Sequence, residues 1–197
     1  MNTHRVNVRI SAGVCALIAV GCATPQSPPM KDAAMSAPAR PALTAQDVDA
    51  AQQSWCDGLL SIAKAHAEGR DYKSIALGVL SNNYNYDYSI VLFNPTLTFG
   101  EQTFRLDREG AAAYFIGGNP KYPNDSGFAL KPWVGCRYTN AGVLIDGDFA
   151  ATMGNVYLTD AKGNVTMVDK LFAFRRGNDG KLRIIVHKSA IPNPVPK

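Results

Sequence analysis

The sequence predicts an α+β domain in which a cone-shaped, mostly antiparallel curved sheet wraps round an N-terminal helix. Three observations carry that prediction. Apolar residues recur at helical spacing early in the domain, and four later runs alternate at a period near two. The turns between those runs are rich in Asn, Asp and Gly, which suit tight hairpins.

Thr44 suits an N-cap, with Asp47 three residues on in the place of a capping-box acid. A long helix is expected from Ala45 to about Ala67, with Val48, Ala51, Trp55, Leu59, Ile62 and Ala63 on its apolar face, ended by Gly69. A shorter helix follows Asp71 and carries Tyr72, Ile75, Ala76 and Val79. From Tyr84 the period shifts towards two: Tyr84, Tyr86, Tyr88, Ile90 and Leu92 read as one face of a strand that breaks at Asn94-Pro95. A brief strand is expected over Thr96–Phe99. Next comes a helical insert capped by Asp107, acidic at Glu109, and stopped by Gly117-Gly118.

Four long strands are predicted at roughly 127–140, 143–158, 165–176 and 181–191, joined by turns at Asn140-Ala141-Gly142, Asp160–Asn164 and Asn178-Asp179-Gly180. Alternation along the last strand puts Arg183, Ile185, His187 and Ser189 on one face, so an imidazole and a hydroxyl sit two residues apart. Such an arrangement matches folds like nuclear transport factor 2, which enclose a pocket between sheet and helix. The fold alone names no activity.

Ahead of this domain, expected to span 43–197, residues 1–21 read as an export signal. Arg5 and Arg9 precede the short apolar run Val14–Val20, which is too short to cross a bilayer. Ala19-Val20-Gly21-Cys22 looks like a lipobox, making Cys22 the expected lipidation site and the cell envelope or periplasm the expected location, with plain secretion as the alternative. Residues 22–42, rich in Pro, Ala and Ser, read as a tether. The membrane is then met only through the N-terminal anchor. A formal net charge of +4, without a basic run interleaved with aromatics, argues against a nucleic-acid partner. Cys56 and Cys136 remain in the domain, either as a disulfide or as two separate buried thiols.

Several segments, in order, resemble the iota class of carbonic anhydrases. They are Phe93-Asn94-Pro95-Thr96, Phe104-Arg105-Leu106, Ala113–Asn119, Gly127–Trp133, Ala151–Asn155 and Arg183–Pro192, so the resemblance spans about residues 45–192. The family's His-His-Ser-Ser hallmark, followed closely by Pro, stands here as His187-Lys188-Ser189-Ala190 and then Ile191-Pro192. The two departures fall on the opposite strand face from His187 and Ser189. The resemblance implies a fold related to the association domain of calmodulin-dependent kinase, reversible hydration of carbon dioxide to bicarbonate, and a homodimer formed through the open sheet face. It also implies a water held by the hydroxyls of Thr96, Tyr114 and Ser189, with His187 beside them as an orienting or proton-relaying group and Phe93, Phe115 and Ile185 as apolar lining.

Taken unaided, Thr96 reads as a strand start and Tyr114 as core. Three histidines, His4, His66 and His187, with His4 in the signal, cannot make a three-histidine zinc site. The expected cofactor is therefore none, with zinc or manganese left open, since Cys56, Cys136 and one histidine suffice by count. The rival readings are a non-catalytic periplasmic binding or association module on the same fold, and an isomerase-like acid–base enzyme using Asp87, Asp146 or Asp148. His66 reads as a structural residue at a helix C-terminus.

Overall fold

The computed structural model describes residues 40–193. The expected signal, Cys22 and most of the tether lie outside them. The tether's last stretch is bound to the domain: Arg40 donates to the carbonyl of Gly177, and Arg176 donates to the carbonyl of Pro41. Folded contacts thus begin before residue 43.

Helix α1 (Ala45–Ala67) starts at the predicted capping box. The Thr44 hydroxyl accepts from the Asp47 amide, and the Asp47 carboxylate accepts from the Thr44 amide. Val48, Trp55, Leu59, Ile62 and Ala63 are buried on its inner face. Helix α2 (Tyr72–Asn83) is capped by Asp71, and α3 (Arg108–Ile116) by Asp107. Gly117 ends α3 at φ 64°, where a Cβ would also press on the carbonyl of Asp125 at 3.1 Å.

Five strands, β1 (Leu92–Asn94), β2 (Trp133–Asp146), β3 (Phe149–Asp160), β4 (Val165–Arg176) and β5 (Leu182–Ala190), form one sheet in the order β1-β5-β4-β3-β2. Every pairing is antiparallel except β1 with β5. Helix α1 packs on the inner sheet face and is bonded to β2 by a Cys56–Cys136 disulfide, closing the question the sequence left open. With a sequence separation of 80 between the two cysteines, that link is worth on the order of 4 kcal/mol by chain entropy.

Five local expectations are corrected. Tyr84 makes only an isolated bridge to Ile184, and residues 86–88 turn, so the tyrosine stripe is not a strand face. Tyr84 is fully buried while Tyr88 is 68% exposed. Thr96 lies in a turn rather than a strand, and Phe128–Leu130 form a 3-10 turn before β2. The first hairpin does not turn at Asn140-Ala141-Gly142, where β2 carries a register irregularity instead. It turns at Gly147, whose φ of 56° glycine adopts without Cβ strain.

The fifth correction bears on the site. The register between β4 and β5 shifts at Ala173/Phe174, pairing Ala173 with Val186 and Phe174 with Ile184 and leaving Ile185 without a partner. This bulge resets the alternation. His187 and Ser189 keep the inner face, Ile184 joins them in the core, and Ile185 falls out of step. Arg183 turns instead to Asp179 in a two-nitrogen ion pair and lies over the Tyr88 ring.

Candidate active site

Strand β1 runs parallel to β5 with Phe93 beside His187 and Asn94 beside Lys188, and the turn after Pro95 then carries Thr96 towards Ser189. Their hydroxyl oxygens lie 2.5 Å apart, with Ser189 buried and Thr96 half-buried. Tyr114 projects from α3 into the same region, walled by Phe128 (ring centroids 5.4 Å), Phe93 (5.7 Å) and Phe115 (5.5 Å). Its buried hydroxyl completes no hydrogen bond among the described residues. The Thr96 hydroxyl and the Leu97 and Thr96 backbone lie near enough to pull the phenol's pKa down, but burial outweighs them and pushes it up. Tyr114 therefore keeps its proton and stays a donor through the ordinary pH range.

The three hydroxyl residues read from the sequence thus come together at one end of the sheet. Phe93 and Phe115 line that region, whereas Ile185 does not share the inner face. A buried hydroxyl without a partner is costly, and it marks a place where a polar ligand or water gains a bond.

His187 is placed differently from the simplest expectation. It is 1% exposed and stacked on Phe93 at 4.4 Å, and both ring nitrogens are engaged. Nδ1 lies 2.8 Å from the Tyr84 hydroxyl, and Nε2 lies 2.7 Å from Nζ of Lys170. The indole Nε1 of Trp55 donates to the Tyr84 oxygen at 2.9 Å. Burial first, and the neighbouring Lys170 second, hold the imidazole well below its ordinary pKa, so it is neutral at pH 7.

Trp55, Tyr84 and Lys170 were absent from the sequence-based site. One signal was available for the lysine: on β4 it falls in phase with Val168, Phe172 and Phe174, a charge-bearing residue on an otherwise apolar inward face. Tyr84 carried no signal separable from its neighbours Tyr86 and Tyr88.

Elsewhere the rival sites dissolve. Asp87 is on the surface pairing with Arg108, Asp148 is exposed beside Arg40 and Arg176, and Asp146 is exposed at a strand end. None faces the interior. Cys56 and Cys136 are spent on the disulfide, which removes the Cys-Cys-His zinc set. Among the described residues no group of three or more His, Cys, Asp or Glu could hold a metal ion. His66 meets the carbonyl of Leu130 and the edge of Tyr72, a structural placement.

Comparisons with known proteins place the chain in a family. The profile of a family described as metal-independent carbonic anhydrase matches residues 46–191. A metal-independent carbonic anhydrase of Nostoc sp. strain PCC 7120 is 43% identical over 153 residues, covering 77% of this chain and 75% of that protein. The crystal structure of a cyanobacterial iota-carbonic anhydrase complexed with bicarbonate superposes with a TM-score of 0.77 at 41% identity, covering 78% of this chain and 95% of that one. A calcium/calmodulin-dependent kinase II association domain from Xanthomonas campestris, at 21% identity and a TM-score of 0.50, covers 78% of this chain and 91% of its own and shares the fold.

Proposed function

The chain belongs to the metal-independent carbonic anhydrase family, and from that premise we propose that it hydrates carbon dioxide on a water held by the hydroxyls of Thr96, Tyr114 and Ser189. The observation that carries this reading is the Thr96–Ser189 hydroxyl pair at 2.5 Å beside the buried, unpartnered hydroxyl of Tyr114. The rival of a non-catalytic binding module is not favoured by the family match.

Free hydroxide is not the reagent in this scheme. Lowering a water's pKa from about 15.7 to about 7 is worth on the order of 12 kcal/mol, more than three neutral hydroxyls supply. The water stays neutral until it attacks. Thr96 and Ser189 accept its hydrogens and aim its lone pair at carbon, so the entropy of alignment is met on binding. An O–H bond breaks towards the hydroxyl pair as the C–O bond forms. Tyr114, still protonated, donates to the oxygen on which negative charge grows. Phe93, Phe115 and Phe128 supply the apolar wall that a linear, nonpolar substrate prefers over water. His187 serves here as an orienting group, because a neutral ring with both nitrogens engaged is a poor collector of protons.

Two further parts of the reading rest on the sequence and on exposed surface. Val165, Met153 and Met167 are exposed on β3 and β4, and we assign that apolar sheet face to a second copy of the chain. Export and lipid attachment at Cys22 are proposed from the lipobox-like segment alone.

Stopped-flow carbon dioxide hydration by the chelator-treated full chain tests the site, with Thr96→Ala and Ser189→Ala beside it. Chelator-resistant activity that drops about 100-fold or more in both variants supports the hydroxyl site. Full activity in either variant removes that residue from it.

A further inference from the structure

The chain of hydrogen bonds behind the hydroxyl site has a direction. Trp55 Nε1 can only donate, so the Tyr84 oxygen receives it. The single Tyr84 hydrogen has one acceptor within reach among the described residues, Nδ1 of His187. A neutral imidazole accepting at Nδ1 carries its hydrogen on Nε2. That hydrogen points at Nζ of Lys170, 2.7 Å away, and only an uncharged amine has a lone pair to receive it. With an ammonium at Nζ, two N–H groups would face each other. The buried chain is fully satisfied only when Lys170 is neutral.

Lys170 also has no carboxylate to hold a charge. Among the described residues it makes no ion pair; Asp169 and Lys188, its nearest charged neighbours in the strands, lie on the outer face of the sheet. Nε2 of His187 is its hydrogen-bonded partner, Ser189 is its register partner on β5, and the rings of Trp55 on α1 at 4.5 Å and Phe172 at 5.7 Å lie beside it. Tyr84, Tyr86 and Tyr114 are further titratable groups of the interior, all held protonated by burial, and Arg105 and Asp125 are buried there as an ion pair. On β3 its register partner is Gly154, which brings no side chain. Burial lowers the amine to about 7, while the faces of Trp55 and Phe172 favour the cation once it forms.

Across the β4–β5 pairing, Lys170 stands directly opposite Ser189, and both are buried on the inner face. We propose that Lys170 is the proton acceptor of the hydration reaction, its uncharged amine taking through the Ser189 hydroxyl the proton that leaves the attacking water. This rests on the hydroxyl site described above.

As the water oxygen bonds to carbon, one C=O π pair moves onto oxygen and gives bicarbonate. The water proton passes to the Thr96–Ser189 pair, and as Nζ turns from Nε2 of His187 towards its register partner the Ser189 hydroxyl proton passes to the Nζ lone pair. Nothing is oxidised or reduced, and the products are bicarbonate and a Lys170 ammonium. The lone pair that held Nε2–H is now used, so the loaded state has lost a hydrogen bond. That loss favours return of the proton along the same hydroxyls to solvent at half-buried Thr96. Lys170 acts through Ser189, so it is a proton-accepting partner rather than a group that touches substrate.

The test is the pH profile of kcat/KM for the full chain and its Lys170→Met variant, with the ε-carbon of Lys170 followed by NMR in the unaltered chain. The expected wild-type rate falls on the acid side with an apparent pKa near 7, and Lys170→Met loses that limb together with about 100-fold in rate. Its melting temperature should fall only modestly, because the relief of removing a buried amine is offset by the Nε2–H of His187 left without its acceptor. In the unaltered chain one lysine ε-carbon should titrate near neutrality, a signal missing from the variant.

An unchanged rate and acid limb in Lys170→Met overturns the proposal while leaving the hydroxyl site standing. A Lys170 that stays charged above about pH 9 does the same, whether or not the variant folds. An inactive wild type overturns the hydroxyl site, and the proton acceptor with it.

Discussion

Two polar groupings share the interior of this domain, and they are built oppositely. Behind the site, Trp55, Tyr84, His187 and Lys170 form an unbroken series of contacts at 2.7–2.9 Å, each donor matched to an acceptor. At the site, Thr96 and Ser189 meet each other, but the Tyr114 hydroxyl is left without a partner. The first arrangement stabilises and positions, because a satisfied buried network resists rearrangement. The second gives up stability at a single hydroxyl and keeps a donor ready for a reacting molecule. On the proposed function, a saturated network beside an unsaturated one separates holding from reacting in this small domain.

The sharpest way to break that comparison is Tyr114→Phe. Hydration should fall about 100- to 1,000-fold as a transition-state donor is lost, while the melting temperature holds or rises because an unsatisfied buried hydroxyl has gone. Stopped-flow rates beside thermal melts check both halves. A clear loss of stability would mean that the hydroxyl is satisfied after all.

Tyr84→Phe is the matching change in the saturated series. It leaves Trp55 Nε1 without its acceptor and His187 Nδ1 without its donor, so a loss of about 1–3 kcal/mol is expected in denaturant unfolding. Equal stabilities for Tyr84→Phe and Tyr114→Phe would erase the distinction between the two groupings.

The smallest effect is a slope. Both His187 and Lys170 have folded-state pKa values depressed below their unfolded ones, so between those values the unfolded chain binds more protons than the folded one. Stability should therefore rise with pH, first through about pH 6.5 as unfolded His187 loses its proton advantage. It should then rise from about pH 7 towards pH 9, below the range where tyrosines titrate. Urea midpoints measured across that range should climb in the wild type and flatten above pH 7 in Lys170→Met.

The parts of this molecule readable in advance were those whose physics is local. The Thr44–Asp47 capping box, the Asp71 and Asp107 caps, the Gly117 stop and the Asp160–Asn164 and Asn178–Gly180 turns each depend on a few adjacent residues. The 3.6-residue period of α1 and the alternation that puts His187 and Ser189 on one face are equally short-range. The trio of Thr96, Tyr114 and Ser189 came from family resemblance, since a threonine after proline and a tyrosine on an apolar helix carry no such message by themselves.

Tertiary structure decided everything that depends on residues far apart in the chain. Whether Cys56 and Cys136 bond, which of Asn140–Gly142 or Gly147 turns the first hairpin, and where the β4–β5 register slips are matters of pairing between strands, and no local preference sets them. The bulge at Ile185 is the clearest case: one unpartnered residue moved Arg183 and Ile185 out of a face that simple alternation had given them. Lys170 shows the same limit in chemistry. By itself it is one lysine among many; buried against Trp55, His187 and Ser189, with water excluded and no carboxylate to hold its charge, it becomes a base suited to neutral pH.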